Sequence, residues 1–172
     1  MRGILAVAIA AALAAGCGAM GIGGGASATA GLEPTKGNTT RGTVKFTQSG
    51  DKVRVTGEIS GLKPGAEHGF HVHEKGDCSS GDGMSAGGHF NPAGKTHGAQ
   101  GAEHHAGDLP NLRADASGNA RADFEIGGIA VGSGSADIVG KGLIVHRDPD
   151  DYKSQPAGNA GPRLACAVIK AA

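Results

Sequence analysis

Tryptophan is absent from this 172-residue chain, tyrosine occurs once and phenylalanine four times. A core without large aromatic side chains must be built from Val, Ile, Leu and Ala, and with 33 glycines much of the chain must lie in turns and loops. Such a composition favours short strands over long helices. Net charge is also missing: 16 basic residues balance 16 acidic ones in mixed rather than blocked runs, which excludes a nucleic-acid surface and leaves any electrostatic function local. Nor is there a long apolar run. The best, Ile4–Ala15 behind Arg2, falls short of the roughly 20 residues that span a bilayer and fits a signal-peptide core of roughly 7–15. With that segment set aside, the length suits one domain with a real core.

Cysteine is scarce as well. Cys17, Cys78 and Cys166 make an odd number, which leaves a loose thiol in the oxidising compartment to which a signal peptide leads. Leu13-Ala14-Ala15-Gly16-Cys17 resembles the lipobox of bacterial lipoproteins, where cleavage before the cysteine makes it the lipid-bearing first residue, although Ala14 stands where Leu is more usual. A competing cleavage after Ala26-Ser27-Ala28 would give a soluble protein. Lipidation of Cys17 frees Cys78 and Cys166 to pair, closing a long loop worth about 4–5 kcal/mol in the chain-entropy account. Otherwise Cys166 is simply a small buried residue in the strand LACAVI. The expected organisation is a signal peptide over 1–16, a flexible tether over 17–31 and a domain over 32–172. The protein is expected to be exported to the bacterial periplasm or cell envelope and held on a membrane through Cys17.

Short runs of period-two character cover Gly42–Gln48, Lys52–Ile59, His68–His73, Leu109–Ala114, Ala120–Ile126, Leu143–His146 and Arg163–Ile169, with turn signals such as Lys63-Pro64-Gly65 and Ser117-Gly118-Asn119 between them. This predicts an all-β fold, an antiparallel Greek-key barrel or sandwich of about eight strands. Two long segments, Glu74–Asp108 and Arg147–Pro162, carry no period at all. Loops of that length inside a compact domain are usually functional.

The histidines gather at those loops. His71 and His73 flank Val72, and in a strand residues i and i+2 share a face, so both imidazoles aim at one point. His89, His97, His104 and His105 follow within the first loop, His68 leads in, and His146 lies far downstream. Neutral imidazole suits zinc and copper, and Asp108, three residues after His105, offers a hard oxygen to complete a tetrahedral set.

The runs HVHEKGDC, GGHFNP, HHAGDL, LIVH and GNAGPRLACAVI, in this order, resemble the copper/zinc superoxide dismutase family from about Thr39 to the end. The resemblance implies one copper and one zinc ion per subunit, with copper on His71, His73, His89 and His146 and zinc on His89, His97, His105 and Asp108. His89 would bridge the ions, and it would take a proton and deliver it to the forming peroxide. Arg163 would dock the superoxide anion, its bland alternative being an edge-strand charge. Asp150 matches the carboxylate that links a copper histidine to a zinc histidine, with Asp148 and Asp151 as neighbours that could serve instead. His68 would be structural, bonding across the barrel, and His104 a solvent-facing neighbour of His105. The implied activity is dismutation of superoxide to dioxygen and hydrogen peroxide, protecting the cell envelope. The alternative is an exported lipoprotein that binds or stores copper and zinc without turnover. No dimer stripe is legible, so a homodimer stays open.

Overall fold

Short alternating runs make short strands. The computed structural model describes residues 25–172, which leaves the expected signal peptide and Cys17 outside the described residues. Its strands are β1 (Ser27–Pro34), β2 (Arg41–Ser49), β3 (Lys52–Ser60), β4 (Glu67–His68), β5 (Phe70–His73), β6 (Leu112–Arg113), β7 (Ala120–Ile126), β8 (Gly142–His146), β9 (Arg163–Val168) and β10 (Lys170–Ala171). Eight of them form one curled antiparallel sheet in the order β5-β8-β9-β1-β2-β3-β7, with β10 also on β1, while β4 and β6 pair separately. The all-β antiparallel fold expected from the sequence is the one observed. Among the described residues the only helical turn is a 3-10 turn at Met84–Ala86, and no helix is long and apolar enough to cross a membrane.

Alternation decides which face is core. Val44 and Phe46 of β2, Val53, Val55 and Ile59 of β3 and Ala122 and Ile126 of β7 are buried, while Lys45, Arg54, Glu58 and Arg121 between them face solvent. Gly50 turns the β2–β3 hairpin at φ 61°, in the left-handed region where glycine is favoured. Each such Val, Ile or Phe contributes roughly 1.5–3 kcal/mol on full burial. β5 and β8 differ, since every residue in them is buried on one face or the other.

The expected tether over 17–31 is cut short by β1. Ser27–Gly31 belong to a strand in the middle of the sheet, paired to β2 from Ser27↔Thr47 onward and to β9 at Glu33↔Cys166. Its inward residues are Ala28, Ala30 and Leu32. Alanines among Gly, Ser and Thr give almost no hydrophobic contrast, so the strand period is not legible there. The expected strand Leu109–Ala114 shrinks to β6, and the run His68–His73 breaks at Gly69 between β4 and β5. A further long connection, 127–141, joins β7 to β8, closed by a bridge between Ala130 and Asp137.

Candidate metal centre

Strand alternation builds half of the site. Phe70 and Val72 enter the main core with Leu143 and Val145, so His71 and His73 of β5 point to the opposite face, as does His146 at the end of β8. The long loop 74–111 lies along the free edge of β5. Val72 donates its N–H to Gly107 O at 2.9 Å and accepts from Phe90 N at 2.8 Å, and Gly107 N donates to Phe90 O at 2.9 Å. Phe90 and Leu109 sink into the core as anchors, which fixes their neighbours His89 and Asp108 beside the strand histidines. Gly107 is required there, because a Cβ would collide with Val72 O.

Two buried donor groups result. His71, His73, His89 and His146 form one, and His89, His97, His105 and Asp108 the other, with the ligand atoms of each lying within 4.8 Å of one another. His89 belongs to both. Every histidine and the aspartate that the sequence singles out as ligands are thus brought together.

The hydrogen bonds decide which nitrogen of each ring is free. His73 Nδ1 donates to Gly87 O at 2.9 Å and His146 Nδ1 to Gly161 O at 3.0 Å, so both Nε2 atoms carry bare lone pairs, and they face each other at 3.4 Å. His71 Nε2 donates to Asp150 Oδ2 at 2.9 Å, leaving Nδ1 buried with no protein partner. His89 donates from Nδ1 to Asp108 Oδ1 at 2.7 Å, and its Nε2 is likewise buried and unpartnered. In the second group His97 Nε2 donates to Asp150 Oδ1, so the bare Nδ1 lies 3.0 Å from Asp108 Oδ2 without forming a hydrogen bond. Lone pairs converging in a buried site repel unless a cation lies among them. The donor chemistry, imidazole alone in one group and imidazole with carboxylate in the other, fits copper and zinc.

Protonation follows the same pattern. Burial, then the neighbouring His89, holds His71 and His73 well below the ordinary histidine range. Burial also brings His146 down to about 4 and lowers His105. For Asp108 burial acts upward, but the hydrogen bond and charge of His89 and the His105 N–H outweigh it and hold the carboxyl well below its usual range. Neutral imidazoles and an ionised carboxylate are the metal-binding forms.

Asp150 is the hinge between the groups: its two oxygens hold His71 and His97, one from each, and fix both tautomers. Asp148 pairs instead with Arg147, and Asp151 caps Lys153 and Ser154 in its own loop. Asp150 is in turn gripped by residues that sequence reasoning missed. Asn111 accepts from Asp150 N and donates to Asp150 O, Tyr152 N donates to Asp150 Oδ1, and Asn111 N donates to the Tyr152 hydroxyl. Gln155 clasps the His97 backbone from both sides, accepting from its N–H and donating to its carbonyl, each at 2.9 Å. At Gly158 a Cβ would collide with the Asp150 carboxylate and come within 2.6 Å of His97 Nε2. None of these residues has a spacing that marks it.

His68 lies outside both donor groups; its Nδ1 donates to His146 O at 2.9 Å, tying β4 to the end of β8. His104 also lies outside them, half-buried, donating to His105 O. Arg163, at the start of β9, is half-buried and donates to Gly83 O and Gly87 O at 2.6 Å each. Cys78 and Cys166 form a disulfide between the loop and β9, three residues beyond Arg163, over a small cluster with Ala86 and Ile144.

Residues 40–169 match the family described as Copper/zinc superoxide dismutase (SODC). A protein named Superoxide dismutase [Cu-Zn] from Paramecium bursaria Chlorella virus 1 is 44% identical over 136 residues, 75% of this chain and 72% of the relative. Superoxide dismutase [Cu-Zn] 1 from Aquifex aeolicus (strain VF5) is 43% identical over 134 residues, 75% of this chain and 79% of that one. The solved structure titled "Crystal Structure Analysis of the clock protein EA4" superposes with a TM-score of 0.77 at 44% identity, covering 84% of this chain and 93% of its own.

Proposed function

The chain belongs to the copper/zinc superoxide dismutase family, and we propose on that footing how its own residues divide the work. Its activity is the conversion of two superoxide anions and two protons to dioxygen and hydrogen peroxide, with a copper and a zinc ion as cofactors. Copper, when bound, supplies the one-electron redox chemistry, whereas zinc has no accessible redox change and organises the loop. His71, His73, His146 and His89 would hold copper; His89, His97, His105 and Asp108 would hold zinc. The observation that carries this reading is the membership of His89 in both groups, with its Nδ1 turned to Asp108 and its Nε2 turned to the strand histidines.

His89 Nε2 is then the atom at which a proton can be held and passed to the product, because His89 alone of the first group also belongs to the second, which would keep the ring fixed through its Nδ1 side while the buried Nε2 has no protein partner. Arg163 attracts and aligns the monoanion: its guanidinium stays charged at all working pH and is held beside His73 through Gly87 O. A storage site has no use for such an arginine. Metal-loaded protein with copper and zinc counted, assayed for superoxide loss, tests the assignment. Equal copper and zinc with turnover is expected, and two zinc ions with no copper affinity would sink it.

Location is proposed as the cell envelope, with lipid on Cys17. The position of β1 supports cleavage upstream of the domain. Ala28 is fully buried and pairs with Phe46 and Ala171, Gln48 N donates to Ala26 O, and Ala172 N donates to Ser27 O. Cutting after Ala28 would strip the first residues from a central strand. Finding the unaltered protein with membranes, and a Cys17→Ser form released or unprocessed, is the expected result; recovery of soluble protein starting near Thr29 would overturn it.

A further inference from the structure

Arg163 must present its guanidinium at a fixed point, yet its two acceptors sit on a loop about eighty residues away in sequence. Something has to keep the arginine and that loop in register. The disulfide is one such fastening. A second is the turn between β1 and β2, TKGNTT, which the metal site leaves unexplained.

Thr35 stands at the start of this turn, buried despite its hydroxyl. Its Oγ1 lies 2.7 Å from Arg163 O and 3.1 Å from Leu164 O, and its backbone N–H donates to Leu164 O at 3.0 Å. Asn38 Nδ2 donates to Thr35 Oγ1 at 2.7 Å, which occupies the hydroxyl as acceptor and leaves its own hydrogen for Arg163 O. The same turn also grips the loop. Lys36 N donates to Gly81 O at 2.7 Å, and Gly83 fits so closely that a Cβ there would lie 3.3 Å from Arg163 Cδ and 3.4 Å from Thr35 Cγ2. The arginine's own backbone and the segment carrying its acceptor Gly83 O are therefore both fastened at Thr35.

We propose that Thr35, oriented by Asn38, is a positioning residue for Arg163: it locks the arginine's backbone to the 81–83 loop and so sets where the guanidinium meets the superoxide anion. Thr35 touches no metal ligand in the hydrogen-bond network and acts only through Arg163. This rests on Arg163 being the group that receives the anion. A hydroxyl at the same place satisfies the requirement, so serine serves and valine, of equal shape, does not.

The test uses the metal-loaded enzyme with copper and zinc counted in each variant. Thr35→Val is expected to lower the second-order dismutation rate about threefold, the effect of losing one ordinary hydrogen bond, with both metals retained. Thr35→Ser is expected to restore the rate, and Asn38→Ala to fall between them. In an Arg163→Ala background Thr35→Val is expected to cost nothing more. The same threefold loss persisting in that background overturns the positioning role alone, since the threonine would then act on the fold in general. A full rate in Arg163→Ala overturns the reading of Arg163 and the positioning role with it. Should Thr35→Val fail to fold, Asn38→Ala in both backgrounds decides the matter by the same comparison.

Discussion

His73 and Arg163 end on the same atom: His73 Nδ1 at 2.9 Å and Arg163 Nη2 at 2.6 Å both donate to Gly87 O. A histidine of the first donor group and the guanidinium proposed to receive the substrate are thus referenced to one carbonyl. Gly87 sits at φ 75°, and a Cβ there would collide with the Glu74 carboxylate, so only glycine delivers its oxygen to both. Any side chain at this position shifts the His73 imidazole and the Arg163 guanidinium together.

Arg163→Ala should keep both metals but lower the dismutation rate by about tenfold, and Arg163→Glu should lower it further. The gain from a positive group at the site falls as salt screens it, so the alanine form should also lose much of its salt sensitivity. Rates measured across ionic strength at matched copper content check this; an unchanged rate for Arg163→Glu removes Arg163 from the mechanism.

Asp150→Asn keeps the shape but can accept through only one oxygen, so His71 and His97 can no longer both be held. Affinity for both ions should drop by roughly 10–100-fold. Dialysis against a graded chelator followed by elemental analysis reads it, and loss confined to one metal would show that the carboxylate serves a single group.

The Cys78–Cys166 bridge closes a loop of sequence separation 88, and removing it by Cys78→Ser and Cys166→Ser together should cost about 2–5 kcal/mol. Thermal unfolding of the double variant against the parent measures the loss. Unreduced protein should meanwhile show no free thiol at either position after denaturation.

For the metal-free protein the sign of the pH effect follows from the depressed histidines. In the unfolded chain they take up protons near pH 6.5, whereas in the fold burial keeps His71 and His73 neutral well below that and His146 down to about 4. Their contribution is therefore complete above pH 6.5 and is lost as the pH falls toward 4. A melting temperature lower at pH 4.5 than at pH 7.5 is expected; equal values would contradict neutral buried imidazoles.

The donor set was legible because ligand chemistry confines it to few residue types at tight spacing. His71-Val72-His73 needs only strand alternation to be read, and Asp108 is three residues from His105. The supporting residues were not legible. Asn111, Tyr152, Gln155 and Thr35 act through partners about 40 to 130 residues away, and nothing local distinguishes them from other polar loop residues. β1 was missed for a different reason: Ala28 and Ala30 fill the narrow space between sheet faces with side chains too small to announce themselves.

The place of β1 also bears on how the molecule is made. This strand lies between β2 and β9, and β10 pairs with it as well, so a segment near the front of the chain finds its last partners only in residues 163–171. While the polypeptide is still emerging, from a ribosome or through a membrane, β1 can meet β2 but not close the sheet. Contacts of such sequence separation form slowly. Until those last residues arrive the sheet stays open beside β1, so its closure and that of the Cys78–Cys166 bridge both wait on the same final stretch of chain.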